Sequence, residues 1–351
     1  NQVDAAGNAS TYTQSYLWVY DVTPPAVPTS LALISPEVSP SNDTTPTVQV
    51  SRADGGLYGN TVGLYADSGC TTLLASGSAT NSWIELTPSS ALDEGTYVFY
   101  AKTTDPAGNS SDCSTEHVTY DLDTSPPAKP SGLSLLNPVS SPSSNTEPTL
   151  QVSGVTSGDW VYLYTDSACS SPTLRGSAQA SGESVQIQSS ALTSDGRYTF
   201  YAKTIDSALN SSECSSETVS YTLDTTAPSP PSGLSLGSST SSPSTSAAPT
   251  ILVNGVDSGD TISIYGDAAC QSALGSGTAA GSPATVTLGS VSEGSHTFYA
   301  KATDAAGNSS SCSNESVSYI RDITAPSVDT PVAYDAVTLI AVPATGTVWN
   351  K

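Results

Sequence analysis

Basic residues are scarce in this sequence. Nine lysines and arginines face thirty-two acidic residues, a formal charge of -23, which opposes binding to nucleic acid or to an anionic membrane and favours cations. Histidine is scarcer still. His117 and His296 are the only two; neither lies near a nucleophile in sequence, and each reads as a strand-surface residue or a core substitution. Enzyme readings fail on this inventory, and repeated loops at opposite poles of a module leave no single cleft for a pair of catalytic carboxylates. Methionine is absent, no basic-apolar-small leader opens the chain, and no apolar run approaches the roughly 18 residues of a membrane span. The expectation is a piece of a longer or processed chain, with its targeting and anchoring signals elsewhere and no membrane insertion in this piece. Charged residues of both signs make up only 12%, whereas serine, threonine, glycine and proline are abundant, as in exported β-modules with polar loops. Solubility explains the acidity as readily as cation binding does.

What is present is a repeat. The stretch Gly95 to Ser114, GTYVFYAKTTDPAGNSSDCS, returns as Gly196 to Ser215 and again as Gly294 to Ser313, and a partial copy, DAAGNAS, runs from Asp4 to Ser10. The leading aspartates Asp4, Asp105, Asp206 and Asp304 recur about every hundred residues, which is one β-domain per period rather than a short solenoid repeat. The expected organisation is the end of a preceding module (1–22), three complete modules (23–123, 124–224 and 225–322) and the start of a further one (323–351). The linkers DVTPPAVP, DLDTSPPAKP, LDTTAPSPP and RDITAP carry proline, which removes a ladder donor and holds the chain extended. An extended rod is expected.

Within each module the apolar residues alternate, the period of a strand with one buried face. Strand B, PTVQV, PTLQV or PTILV, buries Val48 and Val50, Leu150 and Val152, or Ile251 and Val253. Strand C turns Val62 and Leu64, Val161 and Leu163, or Ile262 and Ile264 inward. Strand F buries Tyr97, Phe99 and Ala101 and their counterparts; strand G offers Val118, Tyr120 and Leu122. No segment has a helical period, and turn signals come every eight to twelve residues or so. The fold class is all-β: tandem immunoglobulin-like β-sandwiches of about seven strands each.

The block GxYxFYAKxxDxAGNSS, followed by a strand and DTTAP, resembles the bacterial immunoglobulin-like repeats of very large surface adhesins, over essentially the whole chain. The resemblance implies the sandwich fold, export, and an extracellular or bacterial cell-surface location; it implies no ligand. Tyr-x-Phe stands where an antibody domain has Tyr-x-Cys, so the B-to-F disulfide is absent. His296 replaces the tyrosine in the third module and Leu209 the loop glycine in the second.

The six cysteines form a regular pair per module, one ending strand C in LYADSGC, LYTDSAC or IYGDAAC and one following the DxAGN loop. Regular pairs in an exported protein read as disulfides. In an immunoglobulin topology Cys169 and Cys214 would lie at opposite ends of one module, roughly 20 Å apart at 3.3 Å per strand residue, whereas a disulfide needs Cα atoms within about 7 Å. This favours staples between neighbours, Cys70 with Cys214 and Cys169 with Cys312, leaving Cys113 and Cys270 for modules or chains beyond. Pairs within a module, Cys70 with Cys113 and so on, stay open. Tyr12 stands where the opening fragment would carry its cysteine.

The DxAGN loop suits a tight turn in which side-chain oxygens accept loop N–H groups. It also suits calcium, which takes six to eight or so oxygen ligands. The candidate junction sets are Asp123 with Asp159 and Asp206, and Asp224 with Asp260 and Asp304; Asp21 with Asn60 and Asp105 is a thinner one. The resemblance implies the same, since related adhesin repeats use junction calcium to stiffen the rod. Tyr65 with Tyr100, Tyr164 with Tyr201, and Tyr265 with Tyr299 are expected as cross-strand pairs on an outer sheet face, with Lys102, Lys203 and Lys301 laid over them; a stripe for lateral packing or ligand contact is the other reading. Asn8, Asn109, Asn210, Asn308 and Asn314 match an N-glycosylation acceptor pattern.

These readings converge on the stalk of a bacterial surface adhesin or extracellular fibre that extends a tip domain from the cell. Its partners would be neighbouring modules or copies of itself, with a receptor met by a region outside this chain. Two alternatives remain: a self-assembling filament or sheath subunit, linked by inter-chain disulfides or by exchange of the strand Tyr12 to Tyr20, and a spacer in a secreted enzyme.

Overall fold

The computed structural model describes residues 3–9, 19–52 and 56–327. Most of the strand Tyr12 to Tyr20, and residues 328–351 of the expected further module, lie outside the described residues. The chain divides into two compact units between Thr225 and Thr226.

The alternating sequence forms strands where it was expected to. In the first module these are β1 (Ser30–Ser35), β2 (Thr47–Ser51), β3 (Thr61–Tyr65), β4 (Leu73–Ser78), β5 (Trp83–Leu86), β6 (Gly95–Thr104) and β7 (Val118–Leu122). The second has β8 (Gly132–Asn137), β9 (Thr149–Ser153), β10 (Trp160–Tyr164), β11 (Leu174–Gln179), β12 (Ser184–Gln188), β13 (Gly196–Ile205) and β14 (Val219–Leu223). The third has β15 (Gly233–Leu236), β16 (Thr250–Asn254), β17 (Thr261–Tyr265), β18 (Ala273–Thr278), β19 (Ala284–Thr287), β20 (Gly294–Thr303) and β21 (Val317–Arg321). Every module pairs a three-stranded antiparallel sheet, β1-β2-β5 in the first, with a four-stranded one, β4-β3-β6-β7. After β1 the chain crosses over, and Ser41 bridges Leu122 in parallel, which covers the free edge of β7; Ser143 with Leu223 and Ser244 with Arg321 repeat this.

The two sheets face each other through the residues the alternation selects. Val48, Val50, Val62, Leu64, Phe99 and Ala101 are fully buried, as are their counterparts in the other modules. The three phenylalanines of the chain, Phe99, Phe200 and Phe298, thus occupy one core position each. Tyr120, Tyr221 and Tyr319 are also fully buried, and each hydroxyl donates to a backbone carbonyl of the crossover, of Asp43, Asn145 and Ser246 respectively. A buried hydroxyl without that acceptor would cost about 1–3 kcal/mol.

A second tyrosine opens the long strand. Tyr97 donates to the carbonyl of Asp93 and Tyr198 to that of Ser194, four residues upstream, in the manner of a tyrosine corner. His296 keeps the contact, with Nε2 2.8 Å from the Ser292 carbonyl; because a carbonyl only accepts, Nε2 carries the proton. The substitution preserves the bond that matters.

Candidate functional site

The repeated DxAGN loop closes on itself through its aspartate. Asp105 accepts the backbone N–H of Asn109 at 2.8 Å and its side-chain amide at 3.0 Å, and the same pair of bonds joins Asp206 to Asn210, Asp304 to Asn308 and Asp4 to Asn8. The Asn109 amide holds the Asp105 carboxyl below its ordinary range; the Asn8 backbone N–H does the same for Asp4. Gly108 and Gly307 take φ of +93° and +92°, a conformation open to glycine. Leu209 is forced into it at +72°. The aspartate accepts as expected, but the asparagine is a donor, and its amide also bonds outside the loop.

That outward bond reaches the preceding linker. Asn210 Nδ2 donates to the carbonyl of Asp123 at 2.8 Å, and Asn109 Nδ2 to that of Asp21 at 3.0 Å. Between the first and second modules, Asn42 N–H also donates to the Ala208 carbonyl at 3.1 Å, so the crossover of one module touches the loop of the next. Thr204 Oγ1 donates to the Ala128 carbonyl, and Lys129 Nζ lies 3.8 Å from Glu213. The last is an exposed pair worth little. Asn210 is itself buried, and its bond to Asp123 is the shortest of these contacts.

The aspartates expected around calcium have these partners. Asp123 accepts Ser125 N–H, Asp206 is engaged by Asn210, and Asp159 is only 7% exposed with its carboxyl pushed up by burial and then by the charge of Asp206. Asp224 donates its N–H to the Ser143 carbonyl in the first unit; in the second, Asp260 accepts Asp257 N–H, and Asp304 accepts from Ala306 and Asn308. Asp21 accepts Thr23 N–H, and the Asn60 amide donates to the Gly56 carbonyl. Among the described residues no three His, Cys, Asp or Glu side chains are grouped as metal donors.

The disulfides correct the sequence-based expectation. Cys70 pairs with Cys113, Cys169 with Cys214 and Cys270 with Cys312, with Cα atoms 5.6, 5.8 and 5.9 Å apart. The staples Cys70 with Cys214 and Cys169 with Cys312 do not form, and Cys113 and Cys270 need no outside partner. The strand order was read correctly; the position of the second cysteine was not. Past the loop the chain doubles back along β13, with Ser212 N–H on the Thr204 carbonyl and Ser215 N–H on that of Ala202. Cys214 has therefore returned four residues from Asn210, about 13 Å at 3.3 Å per residue. From the other side β10 ends opposite Tyr201, and its turn folds tightly.

Aspartates that the sequence reading passed over hold that turn. Asp67, three residues before Cys70, accepts the N–H groups of Gly69, Thr71 and Thr72. The Thr72 and then the Thr71 bonds lower its carboxyl to about 2. Asp166 accepts from Ala168, Ser170 and the Thr173 hydroxyl, and Asp267 from Ala269 and Gln271. Cys70, Cys169 and Cys270 then sit at φ of 50°, 48° and 51°. The signal was available, since an aspartate precedes each of these cysteines by three.

The outer tyrosines pair as expected: Tyr65 opposite Tyr100, Tyr164 opposite Tyr201, Tyr265 opposite Tyr299. Lys301 Nζ lies 6.0 Å from the Tyr265 ring centre. His117 is exposed and lies against Tyr100, at 5.4 Å between ring centres. A cleft of about 610 Å³ on the second module is lined by Gln151, Ser153, Thr156, Glu183 and Ser184 among others, with one carboxylate and no histidine or cysteine. Among the described residues no helix is long and apolar enough to cross a membrane.

Strands, loops and disulfides define a tandem array of immunoglobulin-like β-sandwiches. Residues 39–124 match the family described as bacterial Ig-like domain. The chain thus carries a bacterial Ig-like domain in its first module, and the next two repeat its strands, its loop and its cysteine pair, making a structural repeat region. No curated protein matches the chain. Solved structures similar to it include the FN1–FN3 domains of chicken CNTN1, at 14% identity over 85% of this chain and 99% of that one, with a TM-score of 0.37. Another is from a 1.5-MDa bacterial ice-binding adhesin, at 13% identity over 87% and 100%, TM-score 0.31. A third is a tetra-tandem repeat in the extending region of a large adhesion protein, at 18% identity over 82% and 73%, TM-score 0.24.

Proposed function

We propose that this repeat region is a non-catalytic stalk of a bacterial surface adhesin or extracellular fibre, which holds a tip domain away from the cell. The observation that carries this reading is the bonded junction between the first two modules. Asn210 is oriented by Asp206 and donates to the last residues of the preceding module, while Asn42 reaches forward to Ala208. A junction tied by hydrogen bonds from both neighbours resists bending, and a disulfide within each module keeps a strained module from opening. Both serve a load-bearing spacer. The receptor is met by the tip, outside this chain. The test is to excise residues 225–322, which leaves the first junction intact, from the natural protein. Export and static binding should persist, and attachment under flow should weaken as reach shortens. Loss of static binding would place recognition in the repeats and refute the stalk.

Calcium is a second reading, favoured by Asp159 alone: a buried carboxyl facing the charge of Asp206 would gain from a divalent cation between them. A rise in the melting temperature of the second module on adding calcium, reversed by EDTA, would support it, and an unchanged melt would refute it.

A further inference from the structure

The second module differs from its neighbours on one outer face. In the sheet β11-β10-β13-β14, Val161, Leu163, Phe200 and Ala202 point into the core, so Trp160 and Tyr162 stand in a row on the opposite face, followed by Tyr164, which its neighbours bury. Trp160 is 45% exposed, and its ring centre lies 6.5 Å from that of Tyr162. The first and third modules have Thr61 and Thr261 in place of Trp160, and Gly63 and Ser263 in place of Tyr162. In the first module Tyr65 lies across Gly63, where a Cβ would meet the tyrosine ring at 2.7 Å. The row belongs to the second module only.

Its surroundings are polar, with basic residues toward Tyr162 and Tyr164 and the carboxylates of Asp159 and Asp206 beyond the Trp160 end. Tyr162 has Lys203 on one side and Ser177 on the other, and Trp160 has Ile205 and Gln179. The four strands contain Arg175, Arg197 and Lys203 and no aspartate or glutamate, within a chain of net charge -23. Successive outward residues on a strand stand about 6.8 Å apart. A row one strand wide on a sheet face, edged by hydroxyl and amide groups, suits a linear chain of rings better than a protein partner, which needs about 800 Å² with an apolar centre.

We propose that this face binds an anionic polysaccharide built of uronic acids. The apolar faces of its sugar rings would stack on Trp160 and Tyr162, Lys203 and Arg175 would meet its carboxylates, and Ser177 and Gln179 its hydroxyls. The site does not depend on the stalk reading.

The test uses the whole chain with polygalacturonate as probe and dextran as its neutral counterpart, read by affinity electrophoresis and calorimetry. Polygalacturonate should bind, more weakly as salt rises, and dextran should not. Trp160→Thr and Tyr162→Ser install the residues that the third module already folds with, and each should weaken binding about tenfold or more with an unchanged circular dichroism spectrum. Lys203→Gln should weaken binding and flatten its salt dependence. Absence of binding, equal binding of dextran, or binding indifferent to Trp160→Thr would each overturn the proposal; capture of a protein in place of the polysaccharide would reassign the face.

Discussion

Replacing Cys169 and Cys214 by alanine removes the cross-link of the second module alone. The bridge joins residues 45 apart in sequence, and closing a loop of that length in the unfolded chain costs about 4 kcal/mol in the chain-entropy treatment, within the roughly 2–5 kcal/mol seen when native bridges are lost. The fold itself should survive, because Leu150, Val152, Val161, Leu163, Phe200 and Tyr221 remain fully buried without help from the sulfurs. A bulk melt would blur the result, since three modules do not unfold as one two-state unit. Native-state hydrogen exchange read by mass spectrometry resolves them. Amides of β10 and β13 should lose protection by about a thousandfold, at roughly 1.4 kcal/mol per tenfold, while those of β3, β6, β17 and β20 keep theirs. Matching losses in β6 or β20 would mean that the bridges run between modules, and no loss in β13 would mean that the cross-link does not constrain its own unfolded chain.

Leu209→Gly returns the loop to the glycine that the other copies use at positive φ, and should stabilise the second module by up to about 1 kcal/mol in urea titration; a loss would show that the leucine makes a contact worth more than its strain. Asp67 is depressed from 3.8 to about 2, so its stabilising contribution is complete above pH 4 and is lost as pH falls through 2. Asp67→Asn should therefore weaken the first module at neutral pH and converge with the native chain at pH 1.5; a constant difference would refute the assignment. Asp159 has the opposite sign: its folded-state carboxyl is raised, so the charged form opposes folding. Asp159→Asn should stabilise the second module at pH 7, with the gain vanishing as acid protonates Asp159, and destabilisation at pH 7 would contradict this.

The sandwich was legible because its evidence is periodic. A fully buried Val48 and Val50, or Ile262 and Ile264, follow from alternation, and the Tyr164–Tyr201 register follows from strands C and F being neighbours. The cysteine partners were not legible, because the return of the chain after Asn210 depends on Ser212 and Ser215, whose hydroxyls donate to nearby carbonyls and accept N–H from β13. A serine in a polar stretch looks like any loop residue. The junction was half legible: the spacing of Asp206 and Asn210 announced a closed loop, but the bond from Asn210 to the Asp123 carbonyl involves a backbone atom, which no residue type reveals. Trp160 and Tyr162 are inconspicuous for the opposite reason, since a repeat displays what its copies share and these two belong to one copy.

The stiffness of the junction is best measured as a distance distribution. Spin labels carried by unnatural amino acids at the exposed positions Thr119 and Ser220, on the first and second modules, leave the disulfides untouched. Double electron–electron resonance should return one narrow distance for the native chain, and a broadened one for Asn210→Ala, which frees the Asp123 carbonyl. A broad distribution in the native chain, or one unchanged by the substitution, would contradict the reading of this junction as the stiffening element of a stalk.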